Sequence, residues 1–453
     1  MRKYFGTDGI RRIANTELTP EFALRVAKAG ACVLSKHSKN APTILIGRDT
    51  RLSGTLLESA MTAGFLSYGA NVKLLGVVPT PAVAYLTREL GADAGVVISA
   101  SHNTFEFNGI KYFSNKGTKI SDNIEEEIEA ILDSEKIEEL VAPHHEIGVS
   151  EVATEIGDKY VEFFEDTFGK RLNAKNTREF TVGIDVANGA TYKFAEKVFT
   201  KLGIKYKIIS NNPDGININD ACGSTHLENI QKFVVENKLD LGIAYDGDGD
   251  RCLAVDEKGN VMDGDTILAI ISDRLKNEGK LKNNTLVATV MSNLGLNKYC
   301  LEQGMNIKQT KVGDRYVLEE MLANDYNLGG EQSGHIIFLD YNPTGDGILT
   351  SLMLIEAILE KNMKASEVAS LITIYPQVLV NVKIDANKKE DYKKDKIITD
   401  AIEDLEKDEE IGRILIRPSG TEPLVRVMIE GKNEEYITQK ANELADLIKN
   451  RLQ

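Results

Sequence analysis

Residues 239–251 read LDLGIAYDGDGDR, an apolar run followed at once by aspartates that alternate with glycines. The run has the length of a buried strand, and it ends a series in which strand and helix patterns alternate from residue 180 onward. Such alternation is typical of parallel βαβ units. The stretch therefore predicts an α/β fold in which polar loops follow the ends of strands.

The same alternation occurs before and after this segment. It predicts three similar α/β domains with mixed, mainly parallel sheets, over residues 1–150, 151–254 and 255–371. After Pro376 the chain instead has two long strand candidates, QVLVNVKID and RILIRPSGTEPLVRVMIEG, between helical segments. We therefore expect residues 372–453 to form an α+β domain, and the four domains to surround a central cleft.

Composition excludes several classes of function. The 453 residues carry a formal net charge of −15, which is unsuited to a nucleic-acid-binding protein. There is no apolar stretch of about 18 residues that could span a membrane, and no secretory signal at the start. The four cysteines lack paired spacing, which favours a reducing, cytoplasmic location. The glutamate-rich stretch 124–140 is predicted to be one surface helix with a solvated face.

The aspartates at 246, 248 and 250 are the strongest chemical signal. Their carboxylates can converge on one cation because the intervening glycines let the backbone bend, and such a set suits Mg²⁺. An ordinary acidic turn is less plausible, since three carboxylates so close together repel one another. A calcium-binding EF-hand has Glu257 at its twelfth position, but Arg251 stands where that loop needs glycine.

A second signal is Ile98-Ser-Ala-Ser-His-Asn103, at the carboxyl end of a predicted strand, where α/β sheets bind ligands. A serine there is either a polar loop residue or a nucleophile activated by a base or metal. The order of residues alone does not choose between Ser99 and Ser101. Downstream, Asn108-Gly-Ile-Lys111 supplies a cation.

Two further loops have polar groups suited to a phosphosugar. Arg417-Pro-Ser-Gly-Thr-Glu-Pro423 and the nearby Arg426 combine guanidinium groups, hydroxyls and a glycine, which is a phosphate-binding set. Gly329-Gly-Glu-Gln-Ser-Gly-His335 offers donors and acceptors for sugar hydroxyls. The segment Thr310-Lys-Val-Gly-Asp-Arg315 is a weaker signal of the same kind.

Together these motifs resemble those of the α-D-phosphohexomutase family. They occur in the family's order, from Phe5-Gly-Thr-Asp-Gly-Ile-Arg11 to the arginine-rich loop, and so cover nearly the whole chain. The resemblance is strongest to the branch that acts on glucosamine phosphates. It implies a phosphosugar mutase, an isomerase that works through a phosphorylated serine.

The resemblance also implies roles for individual residues. The catalytic set would be Ser101, which carries the phosphate, with Lys111, Arg11 and His102; one Mg²⁺ would be held by Ser101, Asp246, Asp248 and Asp250. Substrate would be bound by Arg251, Glu331, Ser333, His335, Gly313 and Asp314. The phosphate that does not react would be bound by Arg417, Ser419, Gly420, Thr421 and Arg426.

The implied reaction converts glucosamine 6-phosphate into glucosamine 1-phosphate through a 1,6-bisphosphate, for amino-sugar nucleotides of the cell wall. The enzyme would either phosphorylate its own serine or need a bisphosphorylated hexose as activator, and the protein would be a monomer or homodimer. Two alternatives remain open: a mutase for mannose or glucose phosphates, and a non-catalytic phosphosugar-binding protein. One departure from the family is Thr104, where proline is usual. This departure leaves open how rigid the serine loop, residues 99–107, is.

Overall fold

The strand predicted at 239–245 begins at Leu241 and ends at Tyr245, and all of its residues are buried. The computed structural model describes residues 3–6, 8–36, 41–173, 179–419 and 423–452. The chain divides into two units. The first consists of Met1–Met291 and Met305–Leu371, and the second of Ser292–Gly304 and Ile372–Gln453.

The first sheet of the first unit is mixed. Its strands are β1 (Ile10–Ile13), β2 (Thr43–Arg48), β3 (Asn71–Val77), β4 (Ala94–Ile98), β5 (Phe107–Ser114) and β6 (Ser150–Val152). The helices are α1 (Pro20–Leu34), α2 (Gly54–Tyr68), α3 (Thr80–Glu89) and α4 (Asp122–Leu132). The strand order is β1-β5-β4-β2-β3-β6. Strands β4, β2, β3 and β6 are parallel, whereas β5 runs antiparallel to both of its neighbours.

Local sequence accounts for the start of α1 but not for β5. The Thr19 side chain accepts the Phe22 N–H, and Pro20 takes the first helical position, as the Thr-Pro pair predicts. Strand β5 was not anticipated. It reverses the chain directly after the serine loop and pairs Lys111 with Val97 of β4, which returns the lysine towards the sheet edge at which β4 ends.

The second sheet contains the quoted strand. Its strands are β7 (Thr181–Asp185), β8 (Lys205–Ile209), β9 (Leu241–Tyr245), β10 (Cys252–Asp256) and β11 (Val261–Met262), with helices α5 (Asp158–Asn173), α6 (Tyr192–Lys201) and α7 (Glu228–Asn237). The order is β11-β10-β9-β7-β8. Strands β9 and β10 are antiparallel, so the aspartate loop connects two strands, whereas an EF-hand loop connects two helices.

The third sheet is also mixed. Its strands are β12 (Thr285–Thr289), β13 (Asn306–Thr310), β14 (Leu328–Gly330), β15 (Ile336–Phe338) and β16 (Asn342–Gly345). Its helices are α8 (Gly264–Asn277), α10 (Asp314–Asn324), α11 (Gly347–Lys361) and α12 (Ala365–Ala369), whereas α9 (Leu294–Glu302) belongs to the second unit. The order is β13-β12-β14-β15-β16, with parallel pairing on either side of β12.

The second unit contains an antiparallel sheet with the order β17-β19-β18. The remaining elements are β17 (Gln377–Lys383), α13 (Lys396–Glu406), β18 (Ile411–Pro418), β19 (Leu424–Gly431) and α14 (Glu434–Leu452). Leu444 and Ile448 of α14 are buried in a cluster with Val425 and Val427 of β19. The predicted fold class, three α/β domains and one α+β domain, is confirmed; the residue boundaries between the domains remain predictions.

The prediction of one solvated helix over 124–140 is wrong. Helix α4 ends at Leu132, and two of its glutamates, Glu125 and Glu129, are buried. The Glu129 carboxylate accepts the backbone N–H groups of residues 3, 4 and 5, so it anchors the start of the chain. A charge run does not reveal such a role, because the partners lie more than a hundred residues away in sequence.

The four cysteines are free thiols, and three of them are buried. Among the described residues, no helix combines the length and the apolar character that a membrane crossing requires.

Candidate active site

The loop between β9 and β10 depends on its two glycines. Gly249 has φ +73°, a conformation that favours glycine, and a Cβ there would lie 2.4 Å from the Thr191 side chain. A Cβ on Gly247 would lie 2.6 Å from the backbone oxygen of Ser101. The alternation of aspartate and glycine therefore lets the aspartate loop turn sharply and approach the serine loop closely.

The three aspartates form a buried cluster that fits a cation. Oxygens of Asp246, Asp248 and Asp250 lie within 4.8 Å of one another. Among the described residues, Oδ1 of Asp248 and of Asp250 is buried without a hydrogen-bond partner. Burial and the two neighbouring carboxylates raise the pKa of Asp246 well above its usual value. A divalent cation would neutralise this charge and bind the unpaired oxygens.

Ser101 is buried beside this cluster. Its Oγ donates to Oδ2 of Asp246 at 2.7 Å and lies 3.3 Å from Nδ1 of His102. The other candidate, Ser99, donates its hydroxyl to Asp49 and accepts the backbone N–H of Ser101. Ser99 is therefore engaged in holding the loop, whereas the Ser101 hydroxyl lies against the aspartates. Burial, with Arg251 and Arg11, lowers the pKa of His102 to about 4, so its ring is neutral at pH 7.

Lys111 and Arg11 both contact Oδ2 of Asp8. The ammonium of Lys111 is 2.9 Å from carboxylate oxygens of both Asp8 and Asp248. Burial opposes its charge, but these carboxylates outweigh that effect and raise the pKa of Lys111 well above normal. Arg11 donates to Asp8 at 3.2 Å and to the Asn103 side chain at 3.0 Å. Both residues, which the resemblance places in the catalytic set, are thus held next to the serine loop.

His335 links the aspartate cluster to Asp314. Its Nδ1 is 3.6 Å from Oδ2 of Asp250, and its Nε2 is 3.4 Å from Oδ2 of Asp314. The Gly345 N–H donates to the same Nε2. Burial disfavours the charged ring, yet the two carboxylates outweigh it and raise the pKa of His335. The imidazole is therefore held in one orientation between two acidic groups.

Lys119, which no sequence motif singled out, completes a closed circuit of acidic and basic side chains. Its ammonium is 2.5 Å from oxygens of both Asp8 and Asp314. The circuit consists of Asp250, His335, Asp314, Lys119, Asp8 and Lys111. Its members lie in or next to elements of all three sheets of the first unit, so these contacts connect β5 and its neighbouring segments to the metal and sugar loops.

The predicted sugar-binding loop lies next to β10. The Cys252 N–H donates to the Gly334 carbonyl, which places the loop directly beyond Arg251. Glu331 accepts the Gly313 N–H through Oε1, and burial together with Asp314 raises its pKa. The buried Oγ of Ser333 has no hydrogen-bond partner within the described part of the chain. An acceptor and an unpaired hydroxyl are the groups expected for binding a polyol.

The predicted phosphate-binding residues lie in the second unit. Arg417 on β18 and Arg426 on β19 are paired across the sheet. Burial and the neighbouring Arg426 lower the pKa of Arg417. The Ser419 N–H donates to the Leu424 carbonyl, which continues the pairing of Pro418 with Val425. Gly420 and Thr421 lie outside the described residues.

Sequence reasoning missed several groups that support the site. Arg51 and Asn219 donate to backbone oxygens of the serine loop, and Thr80 donates to Asp248 at 2.7 Å. A usable signal existed for Arg51. It follows β2, which is parallel to β4, so the loops after both strands lie at the same edge of the sheet.

Four segments of the chain match the domains of one family. Residues 2–139, 158–259 and 263–375 match phosphoglucomutase/phosphomannomutase alpha/beta/alpha domains I, II and III. Residues 379–447 match the C-terminal domain of the same family.

Individual relatives agree with this match. The phosphoglucosamine mutases of Acetivibrio thermocellus and Alkaliphilus oremlandii are 53% and 52% identical to the chain, with 100% of both sequences covered in each comparison. A family protein from Burkholderia thailandensis has a similar structure, with a TM-score of 0.79 at 20% identity over 99% of this chain and 98% of that one. The Aspergillus fumigatus N-acetylphosphoglucosamine mutase in complex with GlcNAc-6P and magnesium gives 0.70 at 16%, over 100% and 96%. At these identities the structural likeness concerns the fold alone.

Proposed function

The chain belongs to the phosphoglucomutase/phosphomannomutase family, and on this basis we propose that it interconverts glucosamine 6-phosphate and glucosamine 1-phosphate through phosphorylated Ser101. It is an isomerase that moves a phosphoryl group between two positions of one sugar. The relatives at 53% and 52% identity bear the name phosphoglucosamine mutase, which supports glucosamine over mannose or glucose as the sugar.

The contact between Ser101 and the aspartate cluster carries the proposal. The serine hydroxyl donates to Asp246 within a buried group of carboxylates that retains unpaired oxygens. A serine hydroxyl alone does not need three buried carboxylates that keep oxygens without hydrogen-bond partners. A phosphoserine with a bound cation does need them, because phosphoryl transfer depends on positioning and on neutralising charge.

In the forward direction, the phosphoryl group leaves Oγ of Ser101 and bonds to O1 of glucosamine 6-phosphate. The O1 proton is released, Oγ takes up a proton, and the product is the 1,6-bisphosphate. The intermediate then reorients, the proton on Oγ is released, and the 6-phosphoryl group leaves O6 and bonds to Oγ while O6 takes up a proton. Free glucosamine 1-phosphate and phosphorylated Ser101 result, so the enzyme ends as it began.

The surrounding residues assist proton transfer and orient the substrate in this scheme. Lys111 and Arg11 are the groups proposed to assist proton transfer near the phosphate, since both are held by Asp8 beside the serine loop. His102 lies against Oγ of Ser101, at 3.3 Å. Glu331, Ser333 and His335 are proposed to orient the sugar, and Arg251 to face the phosphate, with Gly313 and Asp314 supporting this loop.

Mg²⁺ is the proposed cation, held by Asp246, Asp248, Asp250 and the Ser101 phosphate, and when bound it neutralises charge on that phosphate. Arg417, Ser419 and Arg426 are proposed to bind the phosphate that does not react, together with Gly420 and Thr421. Guanidinium groups bind phosphate through paired hydrogen bonds and recognise little of the rest of the ligand. The same set can therefore accept either end of the bisphosphate. A cytoplasmic location and a monomeric or homodimeric state remain predictions.

The test is ³¹P NMR of the purified protein with Mg²⁺ and a trace of hexose 1,6-bisphosphate. Glucosamine, mannose and glucose 6-phosphates are compared in parallel. We expect the 1-phosphate to appear fastest from glucosamine 6-phosphate and not at all with Ser101→Ala. Faster conversion of mannose or glucose phosphate would contradict the proposed sugar but keep the mechanism. If no sugar is converted although Ser101 is phosphorylated, the chain is a phosphosugar-binding protein instead.

A further inference from the structure

Arg51 is a buried arginine that the reaction scheme above does not use. It follows the end of β2 by three residues, and 1% of its surface is exposed. Its Nε donates to Asp49 at 2.8 Å, so its charge is compensated by an equally buried carboxylate. A buried arginine with one ion-pair partner still has most of its five N–H donors to satisfy.

Those donors go to the backbone of the serine loop. Nη2 of Arg51 donates to the carbonyl oxygens of Ser101 and Asn103, at 3.0 and 2.8 Å. Nη1 donates to the carbonyl oxygens of Thr104 and Phe107. One guanidinium thus binds four carbonyls of the segment that joins β4 to β5. Since carbonyls are the acceptors, this contact is independent of the loop's side chains.

Asn219 contributes to the same arrangement from the second sheet. Its amide nitrogen donates to the carbonyl oxygens of Ser101 and Asn103, at 2.8 and 2.9 Å. From the other side, Ser99 accepts the Ser101 N–H and donates to Asp49, the partner of Arg51. The backbone on both sides of the proposed nucleophile is therefore fixed by side chains distant in sequence.

This fixation matters because Ser101 has φ +52°, in the left-handed region that non-glycine residues seldom adopt. Such a conformation costs about 1–3 kcal/mol and persists only where neighbouring contacts enforce it. In it, Oγ reaches Asp246 at 2.7 Å. A relaxed Ser101 would move Oγ, and the Asn103 side chain that binds Arg11 would move with it.

We propose that Arg51, assisted by Asn219, is a positioning residue for phosphoryl transfer, which holds the strained Ser101 backbone so that Oγ stays at the aspartate cluster. The proposal rests on the proposed function. A displacement of about 1 Å at a reacting atom can lower a rate by about 100-fold, although substrate binding elsewhere is unaffected. The inference therefore predicts a loss in kcat without a matching change in KM.

The experiment compares Arg51→Lys, Arg51→Met and Asn219→Ala with the unaltered protein. A matched control is Arg274→Lys, another buried arginine, whose partners Glu356 and Glu360 do not belong to the site. We measure kcat and KM, the rate at which ³²P passes from labelled Ser101 to sugar, and amide hydrogen exchange over residues 99–107. The melting temperature of each variant reports general damage.

We expect kcat and ³²P transfer to fall by about 100-fold in Arg51→Met, with KM within about threefold and faster exchange in the loop. Arg51→Lys and Asn219→Ala should lie in between, because each keeps part of the carbonyl contacts. Arg274→Lys should lose melting temperature without losing kcat per folded molecule.

Wild-type kcat in Asn219→Ala and Arg51→Lys, with unchanged exchange, would overturn the inference even if Arg51→Met does not fold. Equal loss of kcat in the Arg274 control would also contradict it, because the effect would then be general. If the unaltered protein itself converts no sugar, the proposed function fails. Loop exchange and ³²P labelling would then still show whether Arg51 positions Ser101.

Discussion

The serine loop, residues 99–107, and the arginine turn, residues 417–426, are built in opposite ways. In the serine loop, four backbone oxygens are bound by Arg51, and Ser101 is held in a strained conformation. In the arginine turn, Arg417 is only half-buried, and its Nε has no hydrogen-bond partner among the residues that the structure describes.

The difference matches what each region is proposed to do. A nucleophile must meet one phosphorus atom along one line, so its position has to be enforced before substrate arrives. A group that binds the non-reacting phosphate must accept both ends of a bisphosphate, so uncommitted guanidinium donors serve it better. Substitutions in the first region should therefore affect kcat, and substitutions in the second should affect KM.

The largest effect is expected for Ser101→Ala, which removes the proposed nucleophile. Turnover should fall by roughly 10⁴-fold or more, because the phosphoryl group has no covalent carrier. Mass spectrometry should detect no phosphorylation at residue 101. Ser99→Ala is the matched control, and its turnover should fall by about tenfold, since it removes the two supporting hydrogen bonds of the Ser99 hydroxyl but leaves the nucleophile in place. A phosphorylated Ser99, or turnover without Ser101, would contradict this assignment.

Asp248→Asn tests the cation site without relying on turnover. Binding of Mn²⁺, followed by electron paramagnetic resonance, should weaken by about 100-fold or more, because a ligand loses its charge. Mg²⁺ should raise the melting temperature of the unaltered protein but not of the variant. Asp256→Asn alters another buried aspartate, one that holds the turn after β10, and should leave Mn²⁺ binding intact. If Asp248→Asn bound Mn²⁺ as tightly as the unaltered protein, the proposed cation site could not lie in this loop.

Arg417→Ala should raise KM for the sugar phosphate by about 10- to 100-fold, which corresponds to one hydrogen-bonded charged contact. The expected change in kcat is small, because the same contact is present in the ground state and the transition state. Arg417→Lys should recover only part of the affinity. Its ammonium keeps the positive charge but lacks the paired donors of a guanidinium. Lys432→Ala, which removes an exposed charge in the same unit, should change neither constant. A fall in kcat alone would break the contrast between the two regions.

The sequence was informative where chemistry and local structure coincide. The aspartate loop was predictable because its carboxylates, its glycines and the strand before it are contiguous, and the Thr19-Pro20 start of α1 was predictable for the same reason. Strand β5 was missed because antiparallel pairing with β4 depends on distant residues.

The supporting residues of the site were missed for a related reason. Asn219 and Ser101 are 118 residues apart, and Lys119 and Asp314 are 195 apart, so no spacing rule connects them. The buried role of Glu129 was hidden in a run of glutamates that looks solvated. Only the folded chain shows which charges are shared between loops.

Thr104→Pro is expected to have the smallest effect, and it tests where the rigidity of the serine loop originates. Proline is usual at this position in the family, and threonine gives the isolated loop more freedom. Here, however, the Thr104 carbonyl is already bound by Arg51 and also accepts the Phe107 N–H. The backbone therefore has little freedom left to lose. We expect the free energy of unfolding to change by less than about 1 kcal/mol, and kcat to stay within about threefold. Urea unfolding and steady-state kinetics measure these quantities. A several-fold gain in kcat would mean that the loop still moves during turnover, and that the arginine contacts alone do not hold the nucleophile in place.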